Sequence, residues 1–382
     1  MNDSNKIKPR ISVSVFFFIN GYLYANWVSR LPELKSFFGI TNSTLGTLLL
    51  MTALGALVSM PLAGWLVKKW GNKTVTVIAG LLFSCLVPLI TFSNNLWLAR
   101  LAFFSVGFGS GALDVSMNGQ AVLVERIWKK SIMSSFHALF SIGMAMGAAT
   151  GLLFSYATIS IKNQLLTMTI VACISLLLAA KNLLPPSPDI TIEPQQKKRL
   201  ANIFSLYIFI ISIIAFCGMT GEGSMSDWSA IYMHTIGGKN ESFSAIAFFS
   251  FSTAMTIGRF LGDYFINRLG KQKLLLINCI ISIAGLSFAL LIINVYVIIA
   301  GFFLIGLGLS TIVPLVYSAA GNMKGIEPSA GIATASTIGY TGFFIGPPAI
   351  GYLSDHFGLR IALYYPLLLF VVMFFLVRKF IK

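Results

Sequence analysis

The chain has 382 residues, of which 56% are hydrophobic and only 10% charged, and its formal net charge is +15. Soluble globular chains carry roughly 25% charged residues; with a mean hydropathy of +0.84, this chain lacks the polar surface that a water-soluble body of its size needs. The basic excess, which in a soluble protein would point to nucleic acid, falls in short clusters between apolar runs, so the positive-inside rule explains it and no nucleic-acid partner is expected.

A bilayer crossing needs about 20 apolar residues. Twelve such runs follow one another, at 11–30, 43–67, 74–93, 96–123, 131–157, 163–184, 203–229, 242–266, 273–292, 294–320, 328–353 and 359–380. Each must satisfy its own backbone hydrogen bonds inside lipid, so each is expected as a helix. The runs are too long and too continuous for barrel strands. The first could pass for a signal peptide, but its length and the eleven runs after it favour a retained span.

The loops set the orientation. One set holds Lys6, Lys8, Arg10, Lys68, Lys69, Lys73, Arg126, Lys129, Lys130, Lys181, Lys197, Lys198, Arg199, Arg268, Lys271, Lys273, Lys324, Arg378, Lys379 and Lys382. The opposite set holds only Arg30, Lys35, Lys162, Lys239 and Arg360. This asymmetry places both termini in the cytoplasm. The segment 185–201, rich in proline and charge, cannot continue a membrane helix and reads as a cytoplasmic linker. It separates an amino-terminal six-helix bundle (1–184) from a carboxy-terminal one (202–382).

An internal repeat supports that division. Gly71, Gly107, Gly109, Gly143 and Gly147 match Gly270, Gly306, Gly308, Gly342 and Gly346, each pair 199 residues apart. Parallel six-span repeats are a transporter plan, with the binding site at mid-membrane.

Two acids break the repeat. Asp114 lies within span four and Glu222 within span seven; their repeat partners are Val313 and Leu23. Ionisable residues at membrane depth are costly and mark ion or substrate paths and proton relays. Ser110, Asp114 and Asn118 recur every four residues and share one helix face. Glu222 sits between Gly221 and Gly223, which loosen the helix or admit a close neighbour. The bland alternative for both acids is a hydrogen bond that holds spans together. Asp227 and Trp228 lie nearer the outer end of span seven, where they would line the mouth or, for Trp228, anchor the interface. Arg30 and Arg100, near outer ends, are placed to snorkel. Arg259 is expected to pair with Asp263 one turn on. His137, at the start of span five, is either a packing histidine or part of a proton relay.

The four cysteines, at 85, 173, 217 and 279, lie inside apolar runs without metal-ligand spacing, so neither a metal nor another cofactor is expected. There is no phosphate-binding loop, Walker lysine motif or nucleophile elbow, which argues against an enzyme and against ATP-driven work.

Over its whole length the chain resembles the major facilitator superfamily. The segment Gly64-Trp-Leu-Val-Lys-Lys-Trp-Gly-Asn-Lys73 is similar to that superfamily's signature loop, with Lys68 where the signature has an acid. Leu113-Asp-Val-Ser-Met-Asn118, Gly221-Glu-Gly-Ser-Met-Ser-Asp-Trp228, Trp27-Val-Ser-Arg-Leu-Pro32, His137 to Gly143, Gly258-Arg-Phe260 and Gly346-Pro-Pro-Ala-Ile-Gly351 resemble the fucose-permease-like branch and its YbjJ-type members. The resemblance implies twelve transmembrane helices in two pseudo-symmetric bundles, an all-α membrane protein.

It also implies that spans one, four, seven and ten line a central cavity. Asn20, Tyr24, Trp27, Ser110, Asn118, Ser310, Pro314 and Tyr317 would then contact the substrate, and Asp114 and Glu222 would carry protons. Arg30, His137, Asp227, Arg259, Gly64 and Gly71 are assigned gating or structural roles. Sugar permeases of the branch carry a further acid in span one; here Asn20, Tyr24, Asn26 and Trp27 occupy that helix.

The expectation is a monomeric, proton-coupled symporter of the cytoplasmic (inner) membrane. It would move a small polar solute by alternating access, with membrane lipid around it. An efflux carrier for a drug-like or siderophore-like compound, or a non-transporting sensor on the same scaffold, are the alternatives.

Overall fold

The computed structural model describes residues 3–128, 132–185, 206–321, 323 and 328–381. Most of the expected linker, together with Lys129, Lys130, Lys197, Lys198, Arg199, Lys324 and Lys382, lies outside the described residues.

The described residues form α1 (Asp3–Val28), α2 (Leu31–Phe38), α3 (Asn42–Trp70), α4 (Asn72–Leu86), α5 (Leu96–Trp128), α6 (Met133–Tyr156) and α7 (Ile161–Ala180). After the linker come α8 (Leu206–Thr235), α9 (Glu241–Leu269), α10 (Lys271–Leu291), α11 (Val295–Leu309), α12 (Ile312–Gly321), α13 (Pro328–Phe357), α14 (Leu359–Ala362) and α15 (Tyr364–Phe380). Eleven helical stretches are long and apolar enough to cross a membrane. The remaining expected span, 328–353, is the 30-residue α13, about 45 Å long. Its many Gly, Ser and Thr residues make it less apolar than its neighbours.

Three of the expected spans are each one apolar stretch within which the helix is interrupted. Span ten divides into α11 and α12, with Ser310 and Thr311 between them. Pro314 is the physical reason: it has no N–H to give and its ring crowds the carbonyl four residues back, that of Ser310. Span three ends as a 3-10 turn, Val87–Thr91, which carries Pro88. The last span begins with the short α14 before α15, which carries Pro366. One correction concerns the loop after span one. It is the amphipathic α2, with Pro32 in its first turn and Gly39 closing it at φ +62°.

The chain resolves into two compact units. One comprises Met1–Ile40, Leu48–Ile192 and Glu241–Phe243; the other Thr41–Thr47, Glu193–Asn240 and Ser244–Lys382.

Inside each unit the 199-residue repeat reappears as geometry. Gly39 and Gly238 both take positive φ, +62° and +64°, and so do Gly71 and Gly270, +82° and +78°. Asn95 caps α5 by accepting from Trp97 N (2.9 Å) and Leu98 N (3.3 Å). Asn294 caps α11 by accepting from Tyr296 N (2.9 Å) and Val297 N (3.4 Å). These pairs are also 199 residues apart.

The close helix crossings repeat as well. A Cβ on Gly107 would sit 1.8 Å from the Thr52 carbonyl oxygen, and one on Gly306 would sit 2.3 Å from that of Phe251. Thr52 and Phe251 again differ by 199. Small residues at membrane helix crossings let backbones meet, which is why glycines carried the repeat in the sequence.

Candidate functional site

In the first unit Asn20 of α1 reaches α5. Asn20 is buried, and its Nδ2 reaches the Met117 sulfur at 3.7 Å while its Oδ1 has no partner among the described residues. Met117 lies one turn from Asp114. Asn118 donates to the Asp114 backbone oxygen at 2.8 Å and to its carboxylate at 3.2 Å. Among the described residues the Asp114 carboxylate makes no ion pair and no hydrogen bond to another helix. The alternative in which Asp114 ties spans together therefore finds no support, because its side-chain bond is to its own helix.

Beside them the Trp27 ring is 1% exposed. It stands edge-on to Tyr24 (5.4 Å between centroids) and Phe103 (5.6 Å). Its Nε1 has no acceptor among the described residues. Ser110 is half-buried one turn before Asp114.

In the second unit Arg259 Nη2 donates to Glu222 Oε1 at 2.9 Å. The two side chains are 22% and 19% exposed. The expected pairing of Arg259 with Asp263 falls on a side chain outside the described ones. An arginine at i and an aspartate at i+4 can meet on one helix surface.

Around this pair, Tyr317 Oη donates to the Met219 sulfur at 3.6 Å, one turn before Glu222. The Ser310 hydroxyl donates to the Leu307 oxygen at 2.7 Å. It also stands against Gly258, where an added Cβ would fall 2.2 Å from it. Glu222, Arg259, Ser310 and Tyr317 thus come together across α8, α9 and the α11–α12 break.

Other expected residues lie apart. Arg30 does not snorkel. It is 3% exposed and is held by Glu33, by Gln164 Oε1 and by the Ile159 oxygen at 3.0 Å. Glu33 also accepts from Ser155 at 2.6 Å, and Gln164 donates to Asn26 Oδ1 at 2.8 Å. Glu33 was visible in the sequence three residues after Arg30. Gln164 and Ser155, more than 120 residues away, were not.

Arg100 lies over the exposed Trp97 ring at 4.7 Å, consistent with an interfacial position. Trp228 is fully buried, so it is no interfacial anchor. Asp227 is 6% exposed and makes no hydrogen bond with the described residues. His137 is exposed, edge-on to Phe17 at 5.3 Å. Gly71 serves as the N-cap of α4, whereas a Cβ on Gly64 would meet open space. The four cysteines are free, and no cluster of metal-binding side chains occurs among the described residues.

The comparisons with known proteins agree with this architecture. The Major Facilitator Superfamily family model matches residues 13–325 and 246–382. An uncharacterised MFS-type transporter of Yersinia pestis is 34% identical over 357 residues, 93% of this chain and 91% of that one. The membrane protein MosC of Rhizobium meliloti is 29% identical, over 92% of this chain and 85% of its own. Among solved structures, a point mutant of the nucleoside transporter NupG superposes with a TM-score of 0.79 at 14% identity, covering 97% and 99% of the two chains. A bacterial homologue of the human lysosomal transporter Spinster gives 0.77 at 12% identity, covering 100% and 99%. These two likenesses are of fold. The chain belongs to the major facilitator superfamily and is a multi-pass membrane transporter, not an enzyme.

Proposed function

We propose that the protein is a proton-coupled secondary transporter of the fucose-permease-like branch, with YbjJ-type relatives. It moves a small polar solute, sugar-like or another metabolite, by alternating access between the halves 1–184 and 202–382, joined by 185–201. It works as a monomeric symporter in the cytoplasmic (inner) membrane with both termini inside.

The observation that carries the reading is the unequal pairing of the two acids. Among the described residues Asn118 is the one side-chain hydrogen-bond partner of the Asp114 carboxylate, so neutralising its charge within the membrane falls to a proton. Glu222 already has Arg259, so its protonation is tied to release of that arginine. Proton uptake at Asp114, with Glu222 responding when solute engages Arg259, links the two acids in one cycle. Asn20, Tyr24, Trp27, Ser110, Asn118, Ser310 and Tyr317 are the proposed solute contacts. Asp227, Arg30 and His137 serve gating or structural roles.

The test is flux into proteoliposomes under an imposed pH gradient, with a panel of monosaccharides and nucleosides and an internal pH dye. Solute-dependent proton entry is expected in the wild type. In Asp114→Asn the gradient no longer drives accumulation, although solute exchange persists. Gradient-driven accumulation that survives Asp114→Asn unchanged would overturn the proton role. Binding without flux in either direction would favour the sensor, and proton-driven extrusion would favour the efflux carrier.

A further inference from the structure

A shallow cavity of about 440 Å³ opens on the first unit between the beginning of α4 and the end of α7. Its rim carries Lys73, Thr74 and Lys181, and its wall is built of Val77, Ile78, Leu177 and Ala180. No acid lines it. Ile78 and Leu177 are 48% and 52% exposed, so the wall faces the surroundings of the bundle rather than its interior. Lys73 Nζ donates to the Lys181 carbonyl at 3.2 Å, which brings the two lysines to one rim and leaves Lys73 two further protons to give. The N-terminus of α4, the helix that carries Lys73 and Thr74, has no side-chain cap.

We infer that this groove binds one anionic phospholipid. The phosphate would sit between Lys73 and Lys181, with the α4 N-terminus and the Thr74 hydroxyl as further donors, and an acyl chain would run along Val77, Ile78 and Leu177. Basic rims between membrane helices suit acidic headgroups, and a helix N-terminus favours negative charge. A free phosphate would use the rim and leave the aliphatic wall unexplained. An uncharged tail would use the wall and leave two cations unexplained. The internal repeat supplies a contrast: 199 residues on, Lys73 and Lys181 correspond to Gln272 and Phe380, so the lysine pair belongs to one half only. The inference is independent of what the protein carries and of its coupling ion.

Native mass spectrometry of the purified full chain tests it, with phosphatidylglycerol, phosphatidylcholine and inorganic phosphate offered separately and in competition. The wild type is expected to retain phosphatidylglycerol and not phosphatidylcholine, with phosphate failing to displace it. Each lysine near an anionic lipid contributes about fivefold in affinity, so the K73Q/K181Q double variant should lose about 25-fold. Leu177→Trp, which keeps both lysines and fills the groove, should lose retention as well. Thermal unfolding in lipid-free detergent monitors the fold of both variants. Equal phosphatidylglycerol retention by wild type and both variants would overturn the site, as would equal retention of phosphatidylcholine. Displacement by inorganic phosphate would make it a small-anion site and overturn the lipid.

Discussion

The membrane acids of the two units sit in different electrostatic settings. In the first unit Asp114 has one neutral amide on its own helix. In the second, Glu222 has a guanidinium from a neighbouring helix at 2.9 Å. The surrounding scaffolds are nearly the same, down to the positive φ of Gly71 and Gly270 and the asparagine caps at 95 and 294. Backbone packing therefore follows the repeat, and charge departs from it. Interhelical crossings must be tight in both halves, because membrane helices gain little from burying apolar surface against each other. Charge pairing is under no such symmetric demand.

That contrast can be broken most severely at Arg259. Arg259→Ala leaves Glu222 charged and alone, and should destabilise the protein by about 3 kcal/mol, measured by denaturant unfolding in detergent. The double variant E222Q/R259Q removes both charges and should recover most of that loss; a double variant as unstable as the single one would show that packing, not charge, is what Arg259 provides.

The symmetric scaffold comes next. Gly107→Ala and Gly306→Ala each drive a methyl into a backbone carbonyl of the facing helix and should each cost about 2 kcal/mol. Matching losses in the same unfolding assay sharpen the repeat; a large cost in one half only would break it. Smaller still, Asn95→Ala and Asn294→Ala each remove a helix cap and should cost about 1 kcal/mol apiece. The smallest stability effect belongs to Asp114→Asn. With no cation to lose, its unfolding should stay within about 0.5 kcal/mol of wild type while gradient-driven flux is lost. A loss comparable to that of Arg259→Ala would mean that Asp114 has a structural partner after all.

Much of this was legible in the sequence for physical reasons. Lipid demands long apolar helices, so hydrophobic length alone marked the spans. Crossing helices demand glycine, so the 199-residue offset was written in glycines before any crossing was seen. The breaks were half-legible: Pro314, Pro88 and Pro366 announced them, but whether a proline bends, frays or divides a helix depends on the neighbours that re-satisfy its freed carbonyl. The Arg30 cluster was legible only through Glu33.

By itself the sequence determined the membrane class, the repeat and the positions of Asp114 and Glu222, because each follows from chain-local demands: hydrophobic length, residue size and the cost of charge in lipid. Only the tertiary structure decided who meets whom. It set Arg259 against Glu222, buried Arg30 and Trp228 away from the interface, and left Asp114 without a cation among the described residues. Those outcomes depend on which faces of distant helices touch, and helical periodicity along a single segment carries no information about the helix across from it.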